Sequence, residues 1–253
     1  MLILNILKIF NILGKDMDYD YELALKELSK NKFKINVVDV GAARGQFLLE
    51  RLINFFDLSQ INSIGIDPFD HGVSKFYNKF FHVCVDNIPE NTVSYEDFYI
   101  NEIDQASSLC KIQIENFTSD LNDVNKIYFT PDVLNRLSNI TNVVKVQIVN
   151  LNDILSSEFE NDEVIDIIKI DAEGKDFNIA KSIESHFHRI KFIAIECTSH
   201  KDDLTRFDGE GTKKEIVQYF KEHNFDVHYC IDHEYRSDNR TQMSDITFIN
   251  LNI

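Results

Sequence analysis

Apolar and polar positions alternate along this chain in blocks that predict strands separated by helices. Tyr19 to Lys30 carries Leu23, Ala24 and Leu28 at helical spacing and leads into an apolar strand, Ile35 to Val40. Gln46 to Phe56 predicts a helix whose apolar stripe is Phe47, Leu48, Leu52, Ile53 and Phe56. Asn62 to Ile66 is a second short strand, stopped at Asp67-Pro68, and Phe80 to Val85 is a third, ending at Asp86. Strands joined by helical connections are the pattern of a parallel sheet in an α/β protein.

The rhythm then changes. Thr92 to Ile100 and Val143 to Asn150 read as additional strands, with a long polar stretch, Gln113 to Asn142, between them. A compact fold seldom carries so much irregular chain without a use for it, so the stretch is expected to be a partly helical insertion over the active site. Regular order resumes with the strand from Ile165, a helix over Asp176 to Phe187, and the strand Lys191 to Glu196. Thr212 to Asn224 is a further helix with Ile216, Val217 and Phe220 inward. Asp226 to Ile231 and Asp245 to Leu251 close the chain as a hairpin, which would put an antiparallel strand at the sheet edge. The expected organisation is an N-terminal helical segment, 1–34, packed on a single domain, 35–253, that carries the insertion at about 113–142.

Composition narrows the partners. A hydrophobic fraction of 43% with 20 Phe is ample for a buried core, so the aromatics read as core and not as a base-stacking platform. The formal net charge of -16 argues against a nucleic-acid backbone or an anionic lipid surface as the main partner. Cys84, Cys110, Cys197 and Cys230 are scattered and form no CxxC pair, which suggests reduced thiols and a cytoplasmic setting. Met1 to Leu13 is apolar but too short to span a bilayer. It reads as a helix packed on the body or on a second copy of the chain, the alternative being an interfacial anchor.

Chemistry gathers at strand ends. Asp39-x-Gly41-x-x-x-Gly45 closes a strand and opens a helix, where glycine lets the backbone approach a ligand. It is neither G-x-G-x-x-G nor a phosphate-cradling loop, and Asp39 would repel a pyrophosphate but suits a cofactor bearing an ammonium and a sulfonium. Asp67 ends the next strand, where a carboxylate can accept hydrogen bonds from both ribose hydroxyls; alternatively it only starts a turn with Pro68.

Ile165-Asp166-Ile167-Ile168-Lys169-Ile170-Asp171-Ala172-Glu173-Gly174 is the sharpest feature. With a period of two, Lys169 and Asp171 share one strand face, and a lysine in an apolar strand is costly unless paired. The pair either fixes the strand end as a buried ion pair or, with Glu173, faces a reacting group. Glu196, at the tip of a later strand, aims a third acid at the same edge. Three such carboxylates could hold a divalent metal, or one could keep a raised pKa and act as a base. His200 is a reserve base, Ser107 and Ser108 either bond the cofactor or cap the insertion, and the remaining histidines show no metal-site spacing.

These segments resemble the FkbM-type S-adenosylmethionine-dependent methyltransferases over roughly Val37 to Ile249. The resemblance rests on Asp39-Val40-Gly41-Ala42-Ala43-Arg44-Gly45, Ser107-Ser108-Leu109, Leu151-Asn152-Asp153-Ile154-Leu155, Ile195-Glu196 and, above all, Ile168-Lys169-Ile170-Asp171-Ala172-Glu173-Gly174. The family's usual turn is Asp-Val-Gly-Ala-Asn, from which Ala43 and Arg44 depart slightly, and its usual Glu-Pro stands here as Asp67-Pro68. The resemblance implies a Rossmann-like methyltransferase fold with a seven-stranded, mostly parallel sheet. It implies methyl transfer from S-adenosylmethionine to a hydroxyl of a small acceptor such as a sugar or glycoconjugate. Asp39, Gly41, Ala42, Arg44, Gly45, Asp67 and Ser108 would bind the cofactor, and Asp171, Glu173 and Lys169 would carry the catalysis, a divalent metal being possible but not predicted. The competing readings are a non-catalytic scaffold that keeps the fold and a nicotinamide-dependent oxidoreductase, the second disfavoured by the missing G-x-G-x-x-G.

Overall fold

The computed structural model describes residues 22–42, 47–103, 107–113, 130–198, 205–234 and 241–253. Met1 to Leu13, Arg44, Gly45 and His200 therefore lie outside the described residues. The strands are β1 (Ile35–Val40), β2 (Ile61–Ile66), β3 (Lys79–Phe81), β4 (Cys84–Val85), β5 (Ser94–Asn101), β6 (Ile140–Val149), β7 (Ile165–Ile170), β8 (Ile190–Thr198), β9 (Phe225–Glu234) and β10 (Thr241–Asn250). The α-helices are α1 (Glu22–Asn31), α2 (Phe47–Leu52), α3 (Pro131–Ser138), α4 (Leu151–Glu158), α5 (Asp176–Ser182) and α6 (Lys213–Glu222).

Seven strands form the main sheet in the order β3-β2-β1-β7-β8-β10-β9. β1 pairs in parallel with β2 on one side and β7 on the other, and the β9–β10 hairpin inserts β10 antiparallel against β8. After β1 the chain first builds outward through β2 and β3, then returns to the other flank of β1 through β7. The carboxyl ends of β1 and β7 thus flank a topological switch point, where open α/β sheets place their ligand crevice.

Helices cover both faces. Val37, Ile167, Phe192 and Ala194 pack against Ala24, Leu25 and Leu28 of α1 and Leu48 and Leu52 of α2. On the other face, Val38, Ile168, Ile193 and Phe248 meet Leu151, Ile154 and Leu155 of α4, Ile179 of α5, and Ile216 and Phe220 of α6. All six residues of β7 are buried, which is why it reads as an apolar run instead of an alternating strand. Each isoleucine so buried contributes about 1.5–3 kcal/mol. Local signals fix the covering helices. Asn150 caps α4 by accepting from Asn152 N, and Thr212 and Glu215 form a capping box at α6.

Several boundaries differ from expectation. The Phe80 to Val85 strand is broken in two: β3 stays in the main sheet, while β4 leaves it and pairs in parallel with β6. β4, β6 and β5 form a separate three-stranded sheet, so the two additional strands belong to that sheet and not to the main one. The helix expected over Asp176 to Phe187 is α-helical only to Ser182 and continues as a 3-10 turn, Glu184–Arg189. The helix expected over Gln46 to Phe56 ends at Leu52, and Phe56 enters the core from the following turn. Residues 114–129 of the insertion are outside the described residues. Its helix α3 opens on Thr130-Pro131, and Leu137 of α3 packs with Ile103 beyond β5. Among the described residues, no helix is long and apolar enough to cross a membrane.

Candidate active site

The chain ends of β1, β2 and β7 are stitched together above the switch point. Gly41 N and Ala42 N both donate to Ile66 O, at 3.0 and 3.2 Å, and Asp171 N donates to Val40 O at 3.2 Å. Gly41 has φ +74°, and a Cβ there would lie 1.7 Å from the Asp171 carbonyl oxygen. The glycine expected to admit a ligand therefore first admits the backbone of β7. Ala42 is fully buried against the α2 side of the sheet.

Register makes Asp39 the direct neighbour of Lys169 across β1 and β7. The Lys169 Nζ lies 3.3 Å from Asp39 Oδ1 and 3.3 Å from Asp171 Oδ2, so the expected Lys169–Asp171 pair is present and has a second, deeper carboxylate. Burial alone would lower the lysine pKa, but the charges of Asp39 and Asp171 outweigh it and hold the ammonium above its ordinary range. Asp39 is fully buried, which pushes its carboxyl pKa up; Lys169 and a hydrogen bond from the Tyr77 hydroxyl at 2.5 Å oppose that. Asp171 is the outward member, with its side chain 40% exposed.

The turn after β7 is built tightly. Glu173 takes φ 49° and Gly174 φ 102°, a left-handed pair that costs about 1–3 kcal/mol at the non-glycine position. Asp176, at the start of α5, accepts from Ala172 N at 2.9 Å and Gly174 N at 3.0 Å. Ser108 is 1% exposed; its hydroxyl donates to Glu173 O at 2.5 Å and accepts from Cys110 N at 2.9 Å. Ser108 is thus a latch between the smaller sheet and the turn, its hydroxyl engaged within the protein. Lys175 adds a second tie, 2.6 Å from Asp86 at the end of β4.

Asp171, Glu173 and Glu196 converge, each offering a carboxylate oxygen within 4.8 Å of the others. Arg206, far away in sequence, already supplies positive charge there: its Nη1 is 3.1 Å from Glu196 Oε1 and its Nη2 3.2 Å from Glu210 Oε1. Glu210 in turn accepts from the backbone N of Arg206 and Phe207, which shapes the loop. No hydrogen bond or salt bridge ties the Glu173 carboxylate among the described residues. Burial, then the neighbouring charges of Glu196 and Asp171, hold its pKa well above the usual glutamate value. Burial also raises Glu196 to about 8 against the pull of Arg206, and Asp176 to about 7. Glu173, Glu196 and Asp176 therefore retain protons that isolated carboxylates would release.

That retention has a measurable consequence for stability. Between the ordinary carboxylate range and these raised values, the folded chain binds more protons than the unfolded chain, so stability falls as pH rises. The melting temperature is expected to decline from about pH 5 to about pH 9, and Glu196→Gln to flatten the decline. A wild-type melting temperature that climbs across that window would show that the cluster does not hold its protons.

Asp67 sits at the tip of β2, 7% exposed, with Oδ1 accepting from Phe69 N at 2.9 Å. It therefore shapes the turn with Pro68 as well as standing at the strand end. Tyr77, Asp176, Arg206 and Glu210 were not expected from the sequence. Asp176 had a legible signal, an acid at a helix start just after a glycine, but the other three reach the site only through tertiary packing. The residues present fit a cofactor with ribose hydroxyls and cationic groups, since carboxylates, Asp67 and Asp171, stand at the ends of β2 and β7 beside the switch point.

The methyltransferase FkbM domain profile matches residues 39–227. No curated protein matches the chain. Solved structures with a related chain course include 1,6-didemethyltoxoflavin-N1-methyltransferase from Burkholderia thailandensis, with bound 1,6-didemethyltoxoflavin and S-adenosylhomocysteine, at 10% identity and TM-score 0.41, covering 97% of this chain and 88% of that one. An S-adenosylmethionine-dependent methyltransferase from Clostridium acetobutylicum has 10% identity and TM-score 0.41, with 99% of both chains covered. The glycopeptide N-methyltransferase MtfA, complexed with S-adenosylmethionine, has 8% identity and TM-score 0.33, covering 93% of this chain and 89% of that one. Likenesses this distant do not bear on substrate, and the assignment rests on the profile, which spans most of the chain from the Asp39 turn through the Asp171 strand. The chain belongs to the FkbM family of S-adenosylmethionine-dependent methyltransferases.

Proposed function

We propose that this protein methylates a hydroxyl oxygen of a small acceptor, such as a sugar or glycoconjugate, with Glu173 as the proton acceptor. The observation that carries this reading is the Glu173 carboxylate itself, untied by any hydrogen bond or salt bridge among the described residues and raised in pKa by burial beside Glu196 and Asp171. An alcohol is a weak nucleophile until its proton leaves, whereas a neutral amine needs no base. A basic carboxylate at the crevice therefore favours an oxygen acceptor.

When bound, S-adenosylmethionine supplies a methyl group already activated by its sulfonium. Asp67 would accept hydrogen bonds from the ribose, and Gly41 and Ala42 in the turn that follows Asp39 would flank the cofactor; Arg44 and Gly45, outside the described residues, are assigned to it by the family resemblance. The Asp171 carboxylate would face the sulfonium, with Lys169 beside it at 3.3 Å. Glu173 would take the acceptor proton as the oxygen attacks: the acceptor O–H and the cofactor S–CH3 bonds break, the O–CH3 and carboxyl O–H bonds form, and the S–C electron pair stays on sulfur in S-adenosylhomocysteine. Ser108, Asp176 and Lys175 hold the turn still, which preserves the alignment on which methyl transfer depends. Unpaired thiols at all four cysteines suit the reducing cytosol we assign it to.

Calorimetric titration with S-adenosylmethionine and S-adenosylhomocysteine tests the cofactor, with saturable one-site binding expected. Asp67→Ala is expected to weaken both by ~10-fold or more, the loss of a charge-assisted hydrogen bond. Folded protein that binds neither would favour the scaffold reading. A panel of hydroxylated glycans and amines, read by S-adenosylhomocysteine release, then tests the acceptor, and turnover confined to amines would refute oxygen transfer. The same assay with EDTA separates the proton-acceptor role of the three carboxylates from divalent-cation binding, since turnover is expected to survive chelation.

A further inference from the structure

The loop between β2 and β3 starts at Asp67, the proposed ribose contact, and ends with Tyr77, whose role no sequence motif suggested. Tyr77 is 7% exposed, and its ring lies against the backbone of β2. A Cβ on Gly65 would come within 2.9 Å of that ring. Phe80 flanks it at 5.6 Å between centroids. With the ring fixed there, the hydroxyl donates to Asp39 Oδ2 at 2.5 Å. Asp39 Oδ1 faces Lys169 Nζ at 3.3 Å, and Lys169 faces Asp171 Oδ2 at 3.3 Å. A continuous chain of polar contacts therefore runs from the cofactor loop, beneath the floor of the crevice, to the one carboxylate in the chain that opens outward.

We propose that Tyr77 is a positioning residue that keeps the Asp171 carboxylate available to the cofactor's sulfonium by holding Asp39 charged, so that Lys169 is shared between the two carboxylates and not given wholly to Asp171. The inference rests on the reading that Asp171 faces the sulfonium. The physical reason is a competition for one ammonium. Lys169 stands between an inner carboxylate, fully buried, and an outer one, 40% exposed. Its charge offsets whichever carboxylate it leans towards. The Tyr77 hydroxyl stabilises Asp39 as an anion, because a donated hydrogen bond favours the charged form of a carboxylate. Take the hydroxyl away and the buried Asp39 is favoured in its neutral form, since burial penalises the anion. Lys169 then turns fully to Asp171 and cancels the charge that the sulfonium would meet. The ring of Tyr77 has a packing role as well, but only the hydroxyl bears on this balance, so Tyr77→Phe separates the two.

The test compares two ligands that differ by one charged centre. S-adenosylmethionine carries the sulfonium, and S-adenosylhomocysteine has a neutral thioether in its place. Calorimetry on the full-length chain gives both affinities for wild type, Tyr77→Phe, Asp171→Asn and the double variant. Asp171→Asn is expected to shift the ratio of affinities ~10-fold towards S-adenosylhomocysteine. Tyr77→Phe is expected to shift it ~3–10-fold in the same direction, with S-adenosylhomocysteine affinity unchanged, and to add nothing in the Asp171→Asn background. Asp39→Asn, which mimics the neutral form directly, is expected to reproduce the Tyr77→Phe shift. If Asp171→Asn leaves the ratio alone, the reading of Asp171 is wrong and the inference falls with it. If Asp171→Asn shifts the ratio while Tyr77→Phe leaves it unmoved, shifts it the other way, or acts equally in the double variant, the inference alone is overturned and the hydroxyl is merely structural.

Discussion

Glu173→Gln is expected to lower turnover by ~10²–10⁴-fold, the range associated with losing a general base, with cofactor affinity changed by no more than about twofold. Glutamine keeps the volume, the left-handed backbone position and the Ser108 latch, which acts on the Glu173 carbonyl and not on its side chain. What it removes is the carboxylate of the cluster that makes no ion pair among the described residues, Arg206 acting on it only through its longer-range charge. Asp171 has Lys169, and Glu196 has Arg206 at 3.1 Å. Both are engaged in ion pairs. The pH dependence is a second readout. Because the Glu173 pKa is held well above the ordinary glutamate value, wild-type turnover should rise with pH through a limb above the usual carboxylate range. That limb belongs to the coupled Glu173 and Glu196 pair. Glu196→Gln removes a neighbouring negative charge, so the limb should move to lower pH. Steady-state rates at saturating S-adenosylmethionine settle the matter, and a Glu173→Gln protein with near wild-type turnover would remove Glu173 from the mechanism.

Gly41→Ala is expected to cost about 3–5 kcal/mol of stability, a large share of the roughly 5–15 kcal/mol a domain holds in reserve. Two effects add. A non-glycine residue at φ +74° pays about 1–2 kcal/mol for the left-handed conformation. The new Cβ would also sit 1.7 Å from the Asp171 carbonyl oxygen, so β1 and β7 must part at the point where Asp171 N donates to Val40 O. Gly72→Ala is the control, because Gly72 has φ +84° but nothing within 4 Å of the added Cβ. It should lose only the conformational part, about 1–2 kcal/mol. Denaturant melts of the two variants read the difference, and equal losses would show that the close approach of β1 and β7 relaxes freely. Since the strands part beside Asp171, any folded Gly41→Ala protein is also expected to be a poorer catalyst than the Gly72→Ala protein.

The alternation of apolar and polar residues was enough to give the elements, because β1, β2, β7 and β8 are short apolar runs with flanking helices whose stripes face them. The family-like segments around Asp39 and Asp171 fall at one sheet edge for the same reason, since strand ends in a parallel sheet collect there whatever the intervening chain does. Lys169 with Asp171 was legible from a period of two within one strand. Local chemistry did not give register, and register is what sets Asp39 beside Lys169 and brings β1 close enough to β7 to require Gly41. It also did not give the departure of β4 from the main sheet, because Cys84 and Val85 are equally apolar in either partner's company. Arg206, Glu210 and Tyr77 reach the site from loops distant in sequence, and no periodicity marks a loop residue as the neighbour of a strand end. The sequence by itself determined which acids stand at the sheet edge. Only the tertiary structure decided which of them have a cation to lean on, because that depends on distances between segments that folding, and not spacing, brings together.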